Sequence, residues 1–67
     1  MKLTKAQQAL FDAGKAAGKR ETYVFLRNNT EPADPKRNEY DAAALFWHDR
    51  AERYMKHAEK ELRNEQN

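Results

Sequence analysis

The second half of the chain has the pattern of one long helix, and this feature constrains the fold more than any other. Tyr40, Trp47 and Tyr54 recur at intervals of seven residues. At 100° per residue they share a sector roughly 120° wide with several other side chains. These are Ala43, Ala44, Ala51, Met55, Ala58 and Leu62. The pattern predicts a helix over residues 35–64 with a buried stripe of aromatic residues and alanines.

Local signals at both ends of this segment support the helix. Asp34 is a favourable N-cap, and Pro35 suits the first helical position because its missing N–H would have no partner there. Lys60 and Arg63 lie near the C-terminal end, where cations complement the helix dipole.

The first half of the chain predicts a shorter helix over residues 4–17. Thr4 and Gln7 have the spacing of a capping box, and Gly18 is a candidate C-terminal cap. The apolar stripe of this helix consists mostly of small residues: Leu3, Ala6, Leu10, Ala13, Gly14 and Ala17, with Phe11 at its edge. We expect this narrow face to receive the bulky aromatic side chains of the long helix.

The segment 21–28 is ambiguous, because its apolar run of Tyr23 to Leu26 is too short for periodicity to decide. The residue types favour a strand, but a lone strand would leave its backbone edges unpaired. We therefore predict a short helix here and keep a strand, paired in a dimer, as the alternative. Residues 29–35 have the composition of a loop. The fold class is all-α, a helical hairpin or three-helix arrangement in one domain, 1–67.

A chain of 67 residues buries little core, and it has no cysteine with which to staple the fold. A homodimer is therefore expected. The first residues lack the continuous apolar segment of a secretory signal. No apolar run approaches the ~20 residues that span a membrane. We expect a cytoplasmic protein without a membrane partner.

The residue types argue against an enzyme. The chain contains no serine or cysteine nucleophile and only two glycines, so neither a catalytic triad nor a phosphate-binding loop is expected. His48 and His57 lie on opposite flanks of the long helix. His48 and Glu52 have the i, i+4 spacing of metal ligands, but two ligands are too few for a site. We expect no metal and no cofactor.

One flank of the long helix carries a candidate partner-binding edge. Its members are Phe46, Arg50, Arg53, His57 and Lys60. Phe46 and Leu45 fall outside the buried stripe, so either a short second element covers them, which we favour, or they are exposed contact residues. Aromatic residues and arginine are enriched in binding hot spots. The sequence thus predicts a protein-interaction module that acts as a regulator, adaptor or inhibitor of a larger protein.

The alternative hypothesis is nucleic-acid binding, because the charge is unevenly distributed. Residues 1–28 hold six Lys/Arg against two acids, whereas residues 29–67 hold seven against nine, for a net charge of +2. Phosphate contacts require such cations. The candidate residues are Lys5, Lys15, Lys19, Arg20, Lys36 and Arg37.

Overall fold

The computed structural model describes residues 2–66, which form two antiparallel helices joined by a short loop. Helix α1 (Lys5–Asn28) has 24 residues and α2 (Pro35–Gln66) has 32. At 1.5 Å per residue they are about 36 and 48 Å long, so α1 lies along most of α2. The hairpin measures 53 × 21 × 12 Å. The predicted all-α hairpin and its long C-terminal helix are confirmed.

Both helices begin as the sequence predicts. The Thr4 hydroxyl accepts a hydrogen bond from the Gln7 N–H at 3.1 Å, and the Gln7 side-chain oxygen accepts one from the Thr4 N–H at 2.9 Å. This reciprocal pair is the capping box. At the start of α2, the Asp34 carboxylate accepts a hydrogen bond of 2.9 Å from the Lys36 N–H.

The predicted three-helix arrangement is wrong for the described residues, as is the strand alternative for 21–28. The first helix does not stop at residue 17 but continues through Gly18 to Asn28. Gly18 keeps a negative φ, so it does not form the left-handed cap that ends many helices. Residues 21–28 gain tertiary support instead, because the Tyr23 ring lies 6.3 Å from the Tyr40 ring across the hairpin.

The core between the helices is made of alanine. The buried side chains are Ala6, Ala9, Ala13 and Ala16 of α1, and Ala44 and Ala58 of α2. The predicted stripe of α1 is therefore wrong in part, since Leu3 and Leu10 are 49% and 41% exposed. A row of alanines lets the two backbones approach closely, and the leucines are left to one side of the contact.

The aromatic stripe of α2 is correctly placed at the contact but is not fully enclosed. Tyr40, Trp47 and Tyr54 are each half-buried. Met55 and Leu62, which the sequence predicts as part of the buried stripe, are 43% and 39% exposed. A single layer of two helices encloses only the smallest side chains, so the large ones remain partly in solvent.

We expect Gly18→Ala to raise the free energy of unfolding by about 0.5–1 kcal/mol, because glycine inside a helix is entropically unfavourable. A Cβ at this position would meet no atom within 4 Å, so the gain should not be offset by a clash. Urea unfolding followed by circular dichroism measures it. An unchanged or lower stability would contradict the continuous helix.

Candidate functional site

The side-by-side helices leave a groove on each side of their contact, and the two grooves differ in chemistry. We call the first the apolar face. Its central groove has a volume of about 780 Å³. Its apolar lining consists of Leu10, Ala13, Gly14, Ala17, Ala51 and Met55, continuing past Arg20 and His48 to Val24 and Leu45. Leu62 lies seven residues after Met55 on the same side of α2. This face is open along its length.

The charges around the central groove of the apolar face are balanced. Arg20 and Lys56 stand against Glu52 and Glu59. His48 also lies here, and its Nε2 atom is 3.0 Å from the Glu52 carboxylate. A neutral rim around an apolar floor can accept a partner without strong electrostatic selection.

The second groove, which we call the basic face, is lined by Asp12, Lys15, Lys19, Trp47 and Arg50. It continues towards Lys5, Tyr54 and His57. Four Lys/Arg against one carboxylate give a local charge of +3 with neutral histidine. This exceeds the +2 of the whole chain, so the positive excess of the protein is concentrated on one face.

Cations and aromatic rings alternate on the basic face. The Lys19 ammonium lies 4.3 Å from the centre of the Trp47 ring, and the Arg50 guanidinium lies 5.0 Å from that of Phe46. The Phe46 and Trp47 rings meet edge to face at 5.1 Å. Such cation–π contacts contribute roughly 0.5–1 kcal/mol at exposed sites, and they hold the charged groups close to flat apolar surfaces.

The predicted partner-binding edge lies on the same side of α2 as the basic face. All five of its members are exposed: Phe46, Arg50, Arg53, His57 and Lys60. The favoured interpretation that a short element covers Phe46 and Leu45 is wrong, since these residues are 52% and 59% exposed. Leu45 and Phe46 also lie on different sides of the hairpin: Leu45 lines the apolar face, whereas Phe46 contacts Arg50 on the basic face.

The residues predicted for nucleic-acid binding are separated by the fold. Lys5, Lys15 and Lys19 join Arg50 on the basic face, whereas Arg20 lines the apolar face. Lys36 and Arg37 lie at the start of α2, next to the loop.

Arg37 has a structural contact of its own. Its Nη1 atom donates hydrogen bonds to the carbonyl oxygens of Arg27 at 3.0 Å and Thr30 at 2.8 Å. The Arg27 carbonyl lies in the last turn of α1 and also accepts a hydrogen bond of 3.2 Å from the Thr30 N–H, whereas the Thr30 carbonyl lies in the loop after α1. Nearby, the Arg27 guanidinium pairs with the Asp41 carboxylate at 2.8 Å. Arg37 therefore ties the loop and the end of α1 to α2.

We expect Arg37→Ala to lower the free energy of unfolding by about 1–2 kcal/mol, because two carbonyl acceptors lose a charged donor. Lys36→Ala, at an exposed neighbouring position, is the matched control and should change stability by less than about 0.5 kcal/mol. Thermal unfolding compares the two variants. Equal effects would mean that the Arg37 hydrogen bonds contribute nothing to stability.

The sequence does not predict the apolar face, because the predicted stripes place Leu10, Met55 and Leu62 in the core. A signal was present in the alanines of α1. Ala6, Ala9, Ala13 and Ala16 recur at helical spacing and form one row of small side chains along α1. If this row of alanines is taken as the surface of α1 that contacts α2, Leu3 and Leu10 are predicted to lie beside the contact and not in it.

Residues 2–66 include no cluster of three or more His, Asp or Glu side chains arranged to hold a metal ion. Neither α1 nor α2 has an apolar stretch long enough to cross a lipid bilayer. No protein-family model, curated protein or solved structure matches the chain.

Proposed function

We propose that the chain is a small, non-enzymatic protein-interaction module that acts as a regulator, adaptor or inhibitor of a larger protein or complex. It docks a helix of its partner on the apolar face. The observation that supports this is the exposure of Leu10 and Met55, at 41% and 43%, on the two sides of an open groove. Large apolar side chains that adjoin on a surface mark interaction sites.

The shape of the apolar face suits a helix. Its middle is formed by Gly14, Ala17 and Ala51, whose small side chains allow a partner backbone to approach. Leu10 and Met55 lie beside these small residues and can pack between the apolar side chains of an amphipathic helix, as in other helix-in-groove complexes. At the rim, Glu52 and Lys56 can each pair with an opposite charge on the partner.

The test is affinity capture from host lysate with three variants of the tagged chain, each at low and high salt and with nuclease. Leu10→Gln with Met55→Gln alters the apolar face, and Phe46→Ala with Arg50→Ala and Arg53→Ala alters the predicted partner-binding edge. Phe25→Gln is the matched control, because Phe25 is 66% exposed on α1 and lines neither groove.

The proposal expects a protein that binds the wild type and the control, resists nuclease, and is lost with the apolar-face variant. If the same protein is lost only with the Phe46, Arg50 and Arg53 substitutions, the partner-binding edge is the docking surface and the apolar face is not. Retention by every variant would overturn both surfaces.

Nucleic-acid binding is the second candidate function, and the convergence of Lys15, Lys19 and Arg50 around Trp47 favours it. Phosphates would contact the cations, and a base could stack on the exposed Phe46 ring, which is 52% exposed. Affinity for a single-stranded oligonucleotide would then fall log-linearly with salt concentration.

Fluorescence anisotropy with such an oligonucleotide tests this function. Replacing Lys15, Lys19 and Arg50 by alanine removes three phosphate contacts, so the slope of log affinity against log salt should become shallower by about 2. The control replaces Arg20, Lys56 and Arg63, which lie off the basic face. Equal slopes for both triple variants would reject the basic face as the binding surface.

A further inference from the structure

We infer that the helices docked on the apolar face belong to a second copy of this chain, so that two hairpins pair into a four-helix bundle. The inference rests on one part of the proposed function, the docking of a helix on the apolar face, and it assigns that face to a second copy of the chain. It draws on the composition of the core, the shape of the hairpin, the charge of the apolar face and the arrangement of its side chains.

The core of one hairpin is small. Within residues 2–66, all six buried apolar residues are alanines, and no large side chain is fully buried. A chain below about 70–80 residues rarely gains enough stability from one core and commonly adds a disulfide, a metal or an oligomeric partner. This chain has no cysteine. Pairing through the apolar face would bury Leu10, Leu45 and Met55 and supply the missing core.

The shape of the hairpin suits pairing along its length. Its broad side measures 53 × 21 Å, so a second hairpin lying on the apolar face could contact both helices over many turns. A standard interface takes ~800 Å² from each partner, which requires contact along much of this side and not at one end alone.

Charge selects the apolar face over the basic face for pairing with an identical chain. A surface that meets its own copy meets its own charge. The basic face carries +3 and would face another +3. Around the central groove of the apolar face two cations balance two carboxylates, and Arg27, at the end near Leu45, is paired with Asp41. An approaching second copy therefore meets little net charge and finds carboxylates for its own cations.

The apolar face has small side chains in its middle and larger apolar side chains towards both ends. Gly14, Ala17 and Ala51 lie in the middle, with Leu10 and Met55 towards one end and Leu45, beyond Arg20 and His48, towards the other. A second copy with its ends exchanged would place small residues against small residues and large apolar residues against large ones. Such interdigitation gives native packing density.

Sedimentation equilibrium of the purified full chain tests the inference. The wild type should sediment as a dimer of the 7.9 kDa chain at high concentration and dissociate on dilution. Leu10→Gln with Met55→Gln should raise the dissociation constant at least about 100-fold, since four apolar side chains per dimer are lost. Phe25→Gln, off the face, should leave it unchanged.

If the Leu10 and Met55 variant fails to fold, exchanging the charges at the rim of the apolar face provides a second test. Glu52→Lys with Glu59→Lys makes the rim positive, and Arg20→Glu with Lys56→Glu makes it negative; all four positions are exposed. Each variant alone should dimerise at least about tenfold more weakly at low salt. An equimolar mixture of the two should restore the dimer.

A wild type that is helical and monomeric at every concentration overturns the inference, as does a dimer that all face variants leave intact, or a charge-exchanged mixture that stays monomeric. These outcomes are separable from the proposed function. If the chain is monomeric but its capture of a protein depends on Leu10 and Met55, only the pairing with a second copy is refuted. If capture of a protein is unchanged when both residues are replaced, docking on the apolar face is refuted.

Discussion

Replacing Trp47 by alanine is expected to lower the free energy of unfolding by about 2–3 kcal/mol. Burial of tryptophan in a full core is worth more, but Trp47 is only half-buried. Its loss removes the ring that contacts Phe46, Lys19 and Arg50 at once. In a chain of this size the melting temperature should fall by about 10–20 °C.

Phe46→Ala is the matched control for Trp47→Ala, since the two rings are in contact but Phe46 is 52% exposed. It should lower the free energy of unfolding by less than about 1 kcal/mol. Thermal unfolding by circular dichroism, at one fixed protein concentration, measures both variants. A larger loss of stability for Phe46→Ala than for Trp47→Ala would show that Trp47 is not the main aromatic side chain in the contact between the helices.

Ala58→Leu should be the most disruptive conservative change in α2. Ala58 is 0% exposed at the helix contact, so a larger side chain must push α1 away or adopt an unfavourable rotamer. Such overpacking lowers the free energy of unfolding by about 1–3 kcal/mol. Urea unfolding should show the loss as a lower midpoint.

Ala42→Leu is the control for Ala58→Leu, because Ala42 is an exposed alanine in the same helix. It should change stability by less than about 0.5 kcal/mol. If Ala58→Leu proves neutral or stabilising, the alanine core is not closely packed, and the leucine would be filling space between the helices.

The sequence predicted the helices well where local chemistry decides. The capping pair of Thr4 and Gln7 and the Asp34-Pro35 start require only neighbouring residues, and both are found. The end of α1 was predicted wrongly, because Gly18 is a local stop signal that a tertiary contact overrides. The Tyr23 ring packs on the Tyr40 ring, which lies 17 residues later in the chain. The local sequence around Gly18 does not include this contact.

The candidate surfaces were less predictable because they depend on helix rotation. A wide apolar sector on α1 includes both the alanine row and Leu10, and only the partner helix determines which of them is buried. The structure buries Ala9 and Ala16 and exposes Leu10. This rotation creates the apolar face and brings Lys15 and Lys19 to the side of Arg50, which lies on a different helix.

Met55 lines the apolar face and therefore reports directly on whether a second copy covers this face. Its methyl group can be labelled with ¹³C, assigned with Met55→Leu, and followed by NMR with a soluble paramagnetic agent over a range of chain concentrations. We expect the methyl to be relaxed strongly in dilute solution, where Met55 is 43% exposed, and to become protected as the chain concentration rises. A Met55 methyl that stays equally accessible at every concentration would contradict pairing through the apolar face.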